Sequence, residues 1–248
     1  VKHLIIDAGN TYIKLVVYQE QRVFLSSICT GVDIAEKMEK FFLENKISKV
    51  ILSSVGPFTG QLKVLLKDVK ELLVLDAATK VPFINLYQSP KTLGVDRIAL
   101  VSAASTQYPS QNVLVIDAGT CVTYDFKNSK NEYLGGAISP GLQMRYRALH
   151  TFTEKLPKLK TVDQKEYLGE EWLGTDTESS IHSGVVNGLV CEIEGVIDQY
   201  KSQFANLTVV LTGGDLDFLS SRLKSEIFAH SNFLTKGLND ILTYNTTE

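Results

Sequence analysis

The chain has 248 residues, of which 44% are hydrophobic and 21% charged. That composition excludes a disordered or fibrous chain, and the length suffices to bury a core without disulfide or metal staples. With 25 basic against 28 acidic residues, net charge −3, the sequence lacks the basic excess of a nucleic-acid binder.

The three cysteines, Cys29, Cys121 and Cys191, are scattered and odd in number. A disulfide framework is not expected and a reducing compartment is. Neither C-x-x-C nor H-E-x-x-H spacing occurs, so zinc has no support in the sequence. The first residues read straight into a strand, without the basic segment and apolar core of a leader. No apolar run approaches the ~20 residues that span a bilayer. The expectation is a cytoplasmic protein with neither a membrane nor a nucleic acid as partner.

In chain order, Leu4 to Ile6 is an apolar run that ends in Asp7-Ala8-Gly9, the pattern of a buried strand entering a tight turn. Tyr12 to Tyr18 and Arg22 to Ser27 follow as two more strands. Ile34, Met38, Phe41 and Phe42 fall on one face of a helix over about Val32 to Glu44. Lys49 to Ser53 reads as a strand, Gly60 to Lys67 as a helix, and Leu72 to Leu75 as a short strand. Ile98 to Tyr108 is an apolar helix, and the turn-rich stretch from Tyr108 to Asn112 marks a boundary.

The opening then repeats. Ile-Asp-Ala-Gly returns 110 residues after its first occurrence, ending the apolar run from Leu114. Val122 to Phe126 and Asn131 to Ala137 complete a second three-stranded meander. Asp176 to about Phe204 reads as one long helix or two abutting ones. Leu207 to Leu211 is a strand stopped by Gly213-Gly214, and a helix starts near Leu216. Three strands followed by alternating helix and strand thus occur twice. The predicted fold is α/β, two duplicated domains over residues 1–111 and 112–248 with mixed sheets, helices on both faces and a ligand cleft.

Four segments have the residue types that chemistry needs. In Asp7 to Lys14, Gly9 permits close approach of a phosphate to backbone N–H groups, Asn10 and Thr11 offer hydrogen bonds, and Lys14 adds charge. Asp7 could hold Mg²⁺ through water. Asp117 to Asp125 repeats the pattern. Each alone also fits a plain hairpin turn. Gly213-Gly214 fits a flat ring such as adenine, and fits a tight strand-to-helix turn equally well. In Tyr87 to Arg97, Asp96 fits a helix cap or dipole partner, and also a base that takes a hydroxyl proton, with Arg97 beside it for an anionic group. Neither G-x-x-x-x-G-K-[ST] nor G-x-G-x-x-G occurs, which argues against P-loop enzymes, Rossmann dehydrogenases and protein kinases.

Taken together, the duplicated Asp-x-Gly hairpins and the late Gly-Gly resemble the actin, sugar-kinase and heat-shock chaperone ATPase superfamily. Within it the chain is most similar to type III pantothenate kinase. The matching segments are Asp7 to Lys14, Tyr87 to Arg97, Asp117 to Asp125, Gly135 to Gly141, Leu173 to Thr177 and Thr212 to Gly214. The resemblance implies two ribonuclease-H-like domains with five-stranded sheets around a nucleotide cleft, and a homodimer. It implies ATP-dependent phosphorylation of pantothenate to the 4′-phosphate, the first step toward coenzyme A, with Mg²⁺ and K⁺ or NH₄⁺.

The same resemblance implies that Asp7, Ala8, Gly9, Asn10, Thr11, Tyr12, Ile13 and Lys14 form the first phosphate loop. Thr120 would contact ATP, and Gly213 and Gly214 would lie near adenosine. Tyr87, Gly94, Val95, Asp96, Arg97 and Thr177 would contact pantothenate, with Asp96 the general base and Asp117 a ligand of the monovalent cation. Several sugar kinases of the superfamily instead place the base in the second hairpin, which would make it Asp117. Cys121 departs from the pattern, where a smaller Ala is expected. An ATP-binding regulator and a chaperone-type ATPase are alternatives; the intact set of acidic and basic residues disfavours the first, the lack of an extra peptide-binding domain the second.

Overall fold

The computed structural model describes residues 2–9, 12–54, 56, 58–159 and 172–246. The elements run β1 (Lys2–Ala8), β2 (Ile13–Gln19), β3 (Arg22–Cys29), α1 (Ile34–Glu44), β4 (Ile47–Ser54), α2 (Thr59–Leu65), β5 (Leu72–Val74), β6 (Ile84–Asn85) and α3 (Val95–Gln107). The repeat follows as β7 (Asn112–Ala118), β8 (Cys121–Lys127), β9 (Glu132–Pro140), α4 (Leu142–Thr151), α5 (Thr177–Gln203), β10 (Leu207–Thr212), α6 (Leu216–Ser220), β11 (Phe228–Ala229) and α7 (Phe233–Thr246). Among the described residues no helix is long and apolar enough to cross a membrane.

The chain forms two compact units. The first comprises Val1–Pro109, Asn131–Leu134 and Asn232–Glu248, and the second Ser110–Lys130 and Gly135–Ser231.

In the first unit the sheet order is β3-β2-β1-β4-β5. The β1–β2–β3 meander is antiparallel, and β4 and β5 run parallel to β1. Leu4, Ile5 and Ile6 are fully buried because both sheet faces are covered, which is why β1 reads as a continuous apolar run rather than an alternating one. Side chains still alternate between the faces. Leu4, Ile6 and Ala8 join Ile34, Met38 and Phe41 of α1 and Leu62 of α2. Ile5 joins Ile98 of α3 and Leu238 and Ile241 of α7. Each such side chain contributes roughly 1.5–3 kcal/mol. The helix expected from Val32 starts at Ile34, because Asp33 Oδ1 accepts hydrogen bonds from the Thr30 backbone N–H at 2.7 Å and hydroxyl at 2.8 Å and holds a turn.

The last helix belongs with the first unit, not with the C-terminal half assigned to it by the 112–248 division. The reason is a backbone contact that only glycine allows. A Cβ on Gly237 of α7 would lie 1.8 Å from the Ala99 carbonyl oxygen of α3.

In the second unit, β10, β7, β8 and β9 repeat the pattern, with β11 outside β10. β7 pairs antiparallel with β8 and parallel with β10. The short β6 pairs with the first residues of β9, Ile84 with Glu132 and Asn85 with Tyr133, all four belonging to the first unit; the second sheet counts six strands where five are expected. The extra strand is two residues long and has no sequence signal of its own. The 27-residue α5 is a single helix. It starts with a capping box: Asp176 Oδ1 accepts the Ser179 N–H at 2.8 Å, and Ser179 Oγ accepts the Asp176 N–H at 3.1 Å.

Gly237→Ala gains up to about 1 kcal/mol of helix propensity but drives a methyl into a carbonyl. The expected result in urea denaturation is a net loss of about 1–2 kcal/mol.

Candidate active site

Strand alternation decides where Asp7 points. It lies on the face of Ile5, the face covered by α3 and α7. Its cross-strand partner on β2 is Lys14, and its neighbour in register on β4 is Ser53. Burial is the main cause that pushes the Asp7 carboxyl up to about 7. The negative charge of Asp96 adds to the rise and Lys14 opposes it. Burial likewise lowers the Lys14 ammonium, against the pull of Asp7. Lys14 Nζ donates to Asn232 Oδ1 at 2.8 Å, which fixes the cation beside the strand pair. Ser53 is 1% exposed, and its hydroxyl has no hydrogen-bond partner among the described residues.

Asp96 stands in the first turn of α3, behind Gly94 at the N-cap. One carboxylate oxygen accepts the Arg97 N–H at 2.8 Å. A Cβ on Gly94 would sit 2.3 Å from that oxygen, so glycine makes room for the carboxylate to fold back over the helix start. Arg97 is buried, with its guanidinium carbon 5.5 Å from the centre of the Tyr87 ring. Tyr87 stacks on Tyr133 at 5.8 Å and 22°. Asp7, Lys14, Asp96, Arg97 and Tyr87 therefore converge in the first unit. Val95 opens α3. Ala8 and Ile13 are buried ends of the hairpin strands, and Tyr12 at its tip is 60% exposed. Gly9 closes that tip by donating its N–H to the Tyr12 carbonyl at 3.0 Å. Asn10 and Thr11 lie outside the described residues.

The second unit holds the other hairpin. Its tip is one residue shorter: Ala118 pairs with Val122, where Ala8 pairs with Ile13. That single residue changes what faces the acid. Lys14 is opposite Asp7, whereas Thr123 is opposite Asp117, with Thr212 in register on β10. The Thr123 hydroxyl is buried with no hydrogen-bond partner among the described residues. A carboxylate flanked by two hydroxyls is an oxygen donor set, which suits a hard cation. Gly213 has φ +102°, and a Cβ there would lie 2.5 Å from Asp117 Oδ1 and 2.2 Å from the Ala118 carbonyl oxygen. Gly214 is exposed and faces open space. The Asp215 N–H donates to the Ala118 carbonyl at 2.9 Å, and burial pushes the Asp215 carboxyl up to about 6. Thr120 is exposed at the tip beside Cys121. Thr177, at the start of α5, lines a groove of about 1190 Å³ with Met144, Phe152 and Ile181.

Sequence reasoning missed Ser53, Tyr133, Asn232 and Asp215. Asn232 stands 218 positions from Lys14, and no local pattern links the two. Ser53 could have been found by extending the strand register from Asp7 to β4.

A family model described as type III pantothenate kinase matches residues 3–199. A type III pantothenate kinase from Christiangramia forsetii is 48% identical over 99% of this chain and 100% of its own length. One from Bacteroides fragilis is 40% identical over 98% of each. Among solved structures, a Campylobacter jejuni protein named for the Baf family of transcriptional activators aligns with TM-score 0.60 at 23% identity over 98% of both chains. A glucokinase from an Antarctic psychrotroph aligns with TM-score 0.53 at 11% identity over 99% of both. At these identities the structures establish the fold alone.

The Asp7 carboxyl has a measurable signature. In the ligand-free protein it keeps its proton between about pH 4 and 7, where an unfolded aspartate has lost it. The folded state then binds more protons than the unfolded, so this group's contribution to stability falls as pH rises through that window. Asp7→Asn removes the effect. Its unfolding free energy is expected to match the parent's at pH 4 and to exceed it at pH 8 by on the order of 4 kcal/mol at most, with a correspondingly higher melting temperature there. Thermal denaturation at the two pH values, without Mg²⁺ or nucleotide, checks this.

Proposed function

The chain belongs to the type III pantothenate kinase family, and on that premise we propose how its residues divide the work. Its activity is that of the family, phosphorylation of pantothenate on the way to coenzyme A. ATP is the phosphoryl donor. We assign Asp96 as the general base for the attacking hydroxyl. The observation behind the assignment is the convergence of Asp7, Lys14 and Asp96 on one covered face, with Arg97 and Tyr87 beside them.

Phosphoryl transfer needs positioning and charge neutralisation more than covalent chemistry. The first hairpin, Asp7 to Lys14, would hold the phosphates, with Lys14 as the fixed cation. Mg²⁺ would neutralise charge on the transferring group. Asp7 fits as its holder, since a carboxylate buried near a second carboxylate is relieved by a divalent cation. Arg97 would bind the pantothenate carboxylate, and Tyr87 beside it would shape that pocket together with Gly94 and Val95; Thr177, on the second unit, would be a further pantothenate contact. Asp96 would accept the hydroxyl proton late in transfer, when that hydroxyl becomes acidic.

In the second unit Thr120 would contact ATP, and Gly213 and Gly214 would border adenosine. Asp117 would bind K⁺ or NH₄⁺. Its threonine neighbours favour this over a role as base, because they supply oxygen donors where Asp7 has a lysine. The homodimer and the cytoplasmic location belong to the same reading.

A coupled ADP-release assay with pantothenate, Mg²⁺ and ATP tests the assignments. Turnover is expected to require pantothenate and to drop when Na⁺ replaces K⁺ or NH₄⁺. Asp96→Asn should lower kcat by about 10²–10⁴-fold with ATP affinity kept; near-normal turnover would remove Asp96 from the role. Asp117→Asn should lose both the K⁺ response and ATP affinity. Loss of turnover with ATP binding intact would instead make Asp117 the base.

A further inference from the structure

A ring of polar contacts in the second unit backs the tip of the second hairpin. Tyr124, on β8, donates its hydroxyl to Glu192 Oε1 of α5 at 2.9 Å. Glu192 Oε2 forms an ion pair with Arg145 Nη2 of α4. The same guanidinium donates from Nε to the Pro140 carbonyl at 2.9 Å and from Nη2 to Ser139 Oγ at 3.1 Å. Pro140 is the last residue of β9. The next residue, Gly141, donates its N–H to the Thr120 carbonyl at 3.2 Å. From Thr120 the chain runs along β8 back to Tyr124.

The contact at Gly141 leaves no slack. A Cβ there would lie 2.0 Å from the Gly119 carbonyl oxygen and 2.6 Å from that of Thr120. The β9–α4 turn is thus pressed directly on the hairpin tip, and any shift of the turn moves the tip. Arg145 is what holds the turn, and its planar fork makes three bonds that a lysine cannot reproduce. Glu192 orients Arg145, and the buried Tyr124 orients Glu192. Burial raises the Glu192 carboxyl, but hydrogen bonds from Arg145, Ser139 and Tyr124 outweigh it and hold the carboxyl below its ordinary value, so the pair stays charged.

We propose that Arg145 and Glu192 are positioning residues for nucleotide binding: through the Pro140–Gly141 turn they set the placement of Thr120 and so the affinity for ATP. The proposal rests on the reading of Thr120 as an ATP contact. Arg145 and Pro140 also line the groove that holds Thr177, so the pantothenate KM is read beside that for ATP.

The test measures the dissociation constant of Mg·ADP by calorimetry, the KM values for ATP and pantothenate, and the melting temperature. Arg145→Lys and Glu192→Ala are expected to weaken Mg·ADP and raise the KM for ATP at least tenfold, with the KM for pantothenate within twofold. Glu192→Gln keeps the shape and a hydrogen-bonding arm for each neighbour, and should return affinity to within about threefold. Glu194→Ala is the structural control. Glu194 lies two residues further along α5 and binds the backbone of Lys224 and Ser225 and the Ser225 hydroxyl instead. It should lower the melting temperature and leave Mg·ADP affinity alone. If Glu192→Ala does not fold, Arg145→Lys and Tyr124→Phe still decide the matter. Unchanged Mg·ADP affinity in the folded variants, or an equal loss in Glu194→Ala, overturns the proposal. Thr120→Ala separates the two levels. If it weakens Mg·ADP while Arg145→Lys does not, the positioning claim alone fails; if it has no effect, the reading of Thr120 fails and the proposal with it.

Discussion

A carboxylate held on a covered sheet face is the constraint around which the first unit is arranged. Asp7 follows Leu4, Ile5 and Ile6, which have no exposed surface, and alternation turns it toward the face covered by α3 and α7. Burying a charge is costly unless a partner or a proton relieves it. The molecule supplies Lys14 across the strand pair, and still burial, with the charge of Asp96 adding to it, pushes the carboxyl toward neutrality. A buried aspartate with a second acid nearby is poor design for stability alone. It is the expected design for a site that receives cations, and perturbed carboxyls of this kind cluster at functional sites.

The repeat shows how a duplicated frame acquires two different ends. Both hairpins follow the same Ile-Asp-Ala-Gly run, and both bring an aspartate to the end of a central strand. One extra residue at the first tip shifts the partner strand, so one acid faces an ammonium and the other a hydroxyl. The difference is a matter of register, and register sets which side chains share a face. The first acid has a built-in positive charge. The second sits in a set of oxygen donors.

Close backbone approaches hold these parts in place. Gly237 lets α7 lie against α3, Gly213 lets the turn after β10 press on Asp117 and Ala118, and Gly141 lets the β9–α4 turn press on Thr120. At each point a Cβ would collide with main-chain atoms, which cannot rotate away as a side-chain end can. Packing of this kind transmits displacement instead of absorbing it. That is why a polar ring behind Gly141 matters at the hairpin tip, and why the last helix is integral to the first unit.

The α/β class, the two three-stranded meanders and nearly every long element are legible in the amino-acid order alone, because apolar periodicity and turn residues are local signals. That order also placed Asp7 and Asp117 at strand ends and Asp96 and Arg97 at a helix start. It did not reveal that α7 completes the first unit, that β6 adds a sixth strand, or that Lys14 is held by Asn232. Nor did it link Tyr124, Arg145 and Glu192 into one ring. Those facts rest on contacts between residues distant in the chain, and no spacing rule reaches across such separations. The tertiary structure decided which charges face one another, since that depends on strand register and on which helix covers which face.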